Sequence, residues 1–161
     1  MTTQKRTNPF CLGAPVLLTT ILVVAVIGCA GSQIVNDMNQ HNPLAACPDS
    51  PNCVSSEAQD SRHAVNPMQL AGTSDTEWAD VQAVVSRLPR SKVVTATEQY
   101  LHATIKSRIF GFIDDLELTL DPQTKRIDIR SASRSGSYDL GVNRRRVEDL
   151  RKQLKAAALI R

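Results

Sequence analysis

The side chains best suited to chemistry crowd into the last third of the chain. Asp114 and Asp115 interrupt an apolar run, Phe112 to Leu120. Neighbours on a strand face opposite ways, so one of these carboxylates must meet the packed face or its margin. A carboxylate there requires a cation. Arg130 lies on the next strand-like run, Arg134 at its exit and Arg144 beyond it, which makes them the expected partners. Ser131, Ser133, Asp139 and Asn143 stand between them, around the loop Ser135-Gly136-Ser137. These nine residues form the candidate polar site. A Gly/Ser loop that leads from a strand into a helix offers backbone amides to an anion, and Arg134 and Arg144 would add charge. The competing use of the same arginines is structural, as partners for Asp114 and Asp115.

Catalysis has less to stand on. A Ser/His/Asp set could be drawn from the serines, His63 or His102, and Asp114 or Asp115, but no strand-Ser-helix elbow fixes its geometry. His102 alternates with Leu101 and Ala103 and reads as a sheet-surface histidine. No catalytic residue, metal ligand or cofactor is assigned, and no Gly-rich nucleotide motif is present. The expected function is a non-enzymatic binding or structural module for an anionic ligand, a lipid headgroup or a protein partner. The alternative is a hydrolase-type enzyme that acts on an envelope component through the Ser/Asp/Arg loop.

The four cysteines divide by position. Cys11 lies in an apolar stretch that runs to Ile27, behind Lys5 and Arg6. A basic start, an apolar run and a small exit residue describe a secretory signal, residues 1–28. An uncleaved membrane helix is the rival reading, since about 17 apolar residues are at the lower edge of a span. The exit, Val26-Ile27-Gly28-Cys29, resembles a bacterial lipobox. That resemblance implies that Cys29 is the first mature residue and carries acyl chains, and Ala30 after it resembles the pattern for the outer membrane. Residues 29–46 read as a flexible tether. The expected location is therefore the bacterial cell envelope, lipid-anchored on the periplasmic side, with the membrane as one partner. Cys47 and Cys53 remain, with five residues between them, two of them prolines. Outside the cytoplasm such a pair is expected to form a disulfide, worth roughly 2 kcal/mol by loop closure. A metal site would need further ligands, for which only His63 is near, and a redox pair prefers closer spacing.

Residues 47–161 must position these groups as one domain. Trp78, Val81, Val84 or Val85, and Leu88 recur at helical spacing before Pro89, and Ser74 with Glu77 offers a capping box. Four strand-like runs follow, 91–97, 100–108, 112–120 and 125–133, joined by short connections that imply antiparallel neighbours. A second helix begins near Asn143, read as its N-cap, and carries Val147, Leu150, Leu154, Ala157 and Ala158. Arg144, Arg145 and Arg146 would oppose the dipole there, and Glu148 and Asp149 are expected to pair with Arg144 and Arg145. The predicted fold is α+β, a two-layer sandwich of a four-stranded antiparallel meander flanked by two helices, with an N-terminal disulfide loop.

Composition narrows the partners. Aromatic residues make up 4% of the chain, too few for a base-stacking platform, so no nucleic acid is expected. The net charge of +3 is unevenly spread: residues 29–105 hold four basic and eight acidic residues, and residues 106–161 hold thirteen and eight. An anionic partner would meet the C-terminal half, unless the asymmetry serves only to dock the halves together.

Three stretches, CPDSPNCVSS from Cys47, YLHATIKSRIFGFIDDLEL from Tyr100 and IRSASRSGSYDLGVNRRRVEDLR from Ile129, together resemble the domain of unknown function 1499 (DUF1499). The resemblance implies a small domain of bacterial envelope-associated proteins and of plastid-bearing organisms. It implies no reaction and carries over no catalytic residue. Its motifs coincide with Cys47, Cys53 and the nine residues of the candidate polar site.

Overall fold

Alternation of apolar and polar residues builds the sheet, and helical spacing builds the layer that covers it. The computed structural model describes residues 44–72, 75–108 and 111–161, all within the compact unit Asp37–Arg161. The signal stretch, Cys29, the tether up to residue 43 and the capping residue Ser74 lie outside the described residues. The elements are β1 (Cys53–Ser55), β2 (Met68–Gln69), α1 (Glu77–Ser86), β3 (Ser91–Ala96), β4 (Tyr100–Lys106), β5 (Ile113–Asp121), β6 (Arg126–Ser133) and α2 (Val142–Ala156).

The α+β class holds, but the sheet has six strands rather than four. β3 to β6 form the expected antiparallel meander. The extra strands, β1 and β2, both pair antiparallel with the free edge of β6, opposite residues 130–132 and 126–127. They are three and two residues long, too short to show a period; the stretch of β1 reads as a loop, and that of β2, Asp60 to Gly72, as an extended connection with room for one short strand. Cys47 and Cys53 are joined in the expected disulfide.

One face of the sheet is apolar. Leu101, Ala103 and Ile105 of β4, Leu116, Leu118 and Leu120 of β5, and Ile127 and Ile129 of β6 are buried there. Trp78, Val81 and Val85 of α1 and Val147, Leu150 and Leu154 of α2 complete the core. Trp78, the one tryptophan of the chain, anchors this core: its ring is buried, and Nε1 donates to the Thr97 carbonyl at 2.9 Å.

The helix ends differ from the sequence reading. Glu77 opens α1 rather than lying three residues inside it, and its carboxylate accepts the Gly72 amide at 2.9 Å. Ala157 and Ala158 are exposed beyond the end of α2. The chain turns there, with Ala158 at φ 55°, and Ile160 bridges back to Leu70.

Candidate functional site

The apolar layer turns polar at one end of the domain. β5 begins where β6 ends, so Asp114 stands opposite Ser133 and Leu116 opposite Ser131. The buried stripe of α2, read backwards from Leu154 through Leu150 and Val147, reaches Arg146 and Asn143. Helix and sheet therefore place polar side chains against each other in the same corner. Asp114 and Asn143 are 4% and 0% exposed.

Asn143 is the hub. Its Nδ2 donates to the Asn52 carbonyl at 2.9 Å, to Ser133 Oγ at 3.0 Å and to Asp139 Oδ2 at 2.8 Å. Its Oδ1 accepts from Ser131 Oγ at 2.6 Å and from Arg146 Nη1. Arg146 also donates to Ser131 Oγ at 2.9 Å and, through Nη2, pairs with Asp114. A buried amide with both ends satisfied stabilises one arrangement of its neighbours, because each lost bond would leave a desolvated polar atom. Asn143 is thus not the N-cap. The cap is Gly141, in the left-handed region at φ 74°, where a Cβ would also press on Arg145 Nη1 at 3.3 Å. Asp139 reaches over it to accept the amides of Gly141 and Asn143, each at 2.8 Å, and so puts a carboxylate at the helix start.

The remaining predicted residues are elsewhere. Asp115 faces the other side of the sheet, where Arg134 binds it through two nitrogens at 2.9 and 2.8 Å and His102 Nε2 lies 2.7 Å away. Burial disfavours the Asp115 anion, but hydrogen bonds from Arg134 and His102 outweigh this and hold its carboxyl below the usual range. Arg130 pairs with Glu117 at 2.7 Å rather than with an aspartate. Glu117 also accepts from the Tyr100 hydroxyl, whose pKa is raised by burial and then by that carboxylate. Arg144 touches neither aspartate. Its guanidinium donates to the carbonyls of Ala64 and Arg62 at 2.7 and 2.8 Å. Glu148 and Asp149 pair with Arg151 and Lys152, not with Arg144 and Arg145. Of the three arginines expected to partner the aspartates, Arg134 does so, on Asp115, while Arg130 and Arg144 do not, and Asp114 belongs to Arg146 instead.

The serines at the end of β6, Ser131 and Ser133, serve Asn143. Ser131 is fully buried and bound to Asn143 and Arg146. The described histidines sit apart, His63 against Asp60 and the Ser50 carbonyl, His102 against Asp115.

Beside the polar corner opens a cleft of about 680 Å³, between the β4–β5 end, the 133–142 loop and α2. Ile105, Phe112, Tyr138, Leu140, Val142 and Leu150 supply its apolar lining. Phe112, Tyr138, Leu140 and Val142 are exposed, by 50%, 70%, 73% and 39%. Arg90, Lys106, Arg108 and Arg145 also line it. Among the described residues, no carboxylate forms a salt bridge with any of these four cations. Sequence reasoning missed the cleft and missed Arg146. The second had a signal, since Arg146 falls on the Asn143–Leu150 stripe, but it was hidden inside a run of three arginines. The first had none, because its apolar residues come from a strand, a loop and a helix.

Residues 43–154 match the family described as Protein of unknown function (DUF1499), and the chain belongs to that family. No curated protein and no solved structure matches it.

Proposed function

We propose that the domain is a non-enzymatic binding module for an anionic ligand with an apolar body, and that the cleft beside Asn143 is its site. The observation that carries this reading is one of segregation. Four of the five large apolar side chains exposed among the described residues line this one cleft, and unpaired cations line it with them. Scattered apolar residues on a surface need no explanation, whereas a contiguous concave patch marks a binding site. The ligand must satisfy both features at once. Cation pairing favours an anion, and the lining favours carbon. The polar corner is the rigid wall of the site, held by Asn143 and Arg146, and its serines are occupied there rather than poised beside a histidine.

The same reading places the domain at the bacterial envelope, held to the membrane by acyl chains on Cys29 through the tether. The test is thermal unfolding of the full chain in nanodiscs of zwitterionic lipid, with 1-naphthalenesulfonate as a probe anion. At 100 times its dissociation constant such a ligand adds about 2.7 kcal/mol of stability. A rise in Tm that is lost in the double variant Lys106→Glu/Arg145→Glu supports the site. An unchanged Tm of the native chain with this probe overturns it.

A further inference from the structure

We infer that the ligand of this cleft is a single acyl chain with an anionic head, taken up as a monomer rather than as part of a bilayer. The inference rests on the cleft being a binding site and deepens that reading to a ligand class. The shape carries it first. Along α2 the lining runs from Val142 to Gln153, a rise of about 16 Å at roughly 1.5 Å per residue. The opposite wall is the β4–β5 end, with Ile105 and Phe112. A site bounded by one helix and one strand pair is a trough, long in one direction. A volume of about 680 Å³ lies within the range of roughly 300–1,000 Å³ found for sites of one small ligand.

Chemistry carries it next. The hydrogen-bonding side chains of the corner, Asp114, Ser133 and Asp139, are engaged by Arg146 and Asn143. They offer little directional recognition to a sugar or a peptide backbone. The cations are different. Arg90 and Arg145 each spend one nitrogen on a backbone carbonyl, of Lys106 and Leu140, and keep other donors free for an anion. Lys106 is exposed, and its stem passes Gly111, where a Cβ would lie 3.3 Å from Lys106 Cε. The trough therefore combines an apolar lining that reads length with several cations that read charge. That pairing suits a fatty acid or a lysophospholipid. A bilayer surface fits less well, because the apolar side chains line a concavity.

The test uses the full chain in zwitterionic nanodiscs and a dodecanoate that carries a diazirine photolabel. Cross-links are expected within residues 105–108, at Phe112 and within 138–150. Hexanoate, octanoate and decanoate should compete with affinity rising about fourfold per methylene, while dodecyltrimethylammonium competes at least tenfold more weakly than dodecanoate. Lysophosphatidylglycerol should compete as well as dodecanoate if the head is read only as charge, and a tenfold gap in either direction assigns the source. In the double variant Lys106→Glu/Arg145→Glu, labelling should fall at least tenfold. Labelling that is insensitive to chain length, or that spreads over the whole domain, overturns the inference. So does labelling that appears only when the nanodisc lipid is made anionic. If naphthalenesulfonate still stabilises the native chain in any of these cases, the anion-binding reading survives and only the acyl class is lost.

Discussion

Replacing Arg146 by Met should be among the most damaging single changes in this domain, and the structure says by how much. The guanidinium is 12% exposed and Asp114 5%, measured on their side chains. Taking away the cation leaves a desolvated carboxylate on the inner face of the sheet, a loss of about 3–5 kcal/mol. The Asn143 carbonyl keeps one donor, Ser131 Oγ, so it adds little to the damage. At roughly 4 °C per kcal/mol for a domain of this size, Tm should fall by about 12–20 °C. Arg134→Ala is the internal control. Its pair with Asp115 is made through two nitrogens rather than one, but Arg134 is half exposed, and solvent screening leaves pairs of that kind little net effect on stability. The double variant Asp114→Leu/Arg146→Met removes both charges together and should regain most of the loss, because a buried ion pair replaced by apolar groups is often neutral. Urea unfolding followed by Trp78 fluorescence gives all four stabilities. The reasoning is refuted if Arg146→Met lies within about 1 kcal/mol of the native protein, if Arg134→Ala costs as much, or if the double variant is no more stable than Arg146→Met alone.

Three further outcomes are expected. The Asp115 carboxyl is held low, so its contribution is fully present above the unfolded value near about 3.9 and is lost as pH falls through the folded value; acid titration of stability should show a shallower decline below pH ~4 in Asp115→Asn than in the native protein. Loss of the disulfide, as Cys47→Ser/Cys53→Ser, should cost roughly 2 kcal/mol, and hydrogen exchange should show the Ser133 amide, which donates to the Asn52 carbonyl, losing protection before that of Leu118. Mass spectrometry of protein taken from cells should find residues 1–28 absent and Cys29 acylated; an intact N-terminus in the membrane fraction would make the anchor a helix instead.

How legible the protein was depends on the length scale of each signal. The meander was readable because β4 and β5 each carry three apolar residues at a two-residue period and β6 carries two, Ile127 and Ile129. The disulfide was readable by elimination among four cysteines. Strands of two or three residues carry no period, so β1 could not be read and β2 only as one short strand within the extended stretch Asp60 to Gly72, although both pair with one edge of the sheet. The candidate site was found as a composition and misassigned as a geometry. Asp114 and Asp115 were correctly seen to face opposite sides, but three arginines compete for them and only the register decides. Arg130 stands across from Glu117, which leaves Arg134 to Asp115 and the helix stripe to supply Arg146. Asn143 misled because its residue type favours caps. Burial against two serines gave it another task.

The edge of β6 that holds β1 and β2 also dictates an order of events. The hydrogen bond from Asn143 to Asn52 joins residues 91 apart, and the β1 pairing with β6 is nearly as long-range. Contacts so distant in sequence must close a large loop before they return any stability, which slows folding. A chain made from its amino end cannot place β1 until almost the whole domain has emerged. The bond between Cys47 and Cys53 is the exception, spanning only six positions. It can close early, while the rest is unstructured, and it pre-shapes the entry to β1 before any partner strand exists. An oxidant that acts late would instead find these thiols after β6 has arrived, so the timing of oxidation relative to synthesis should govern the yield of native protein.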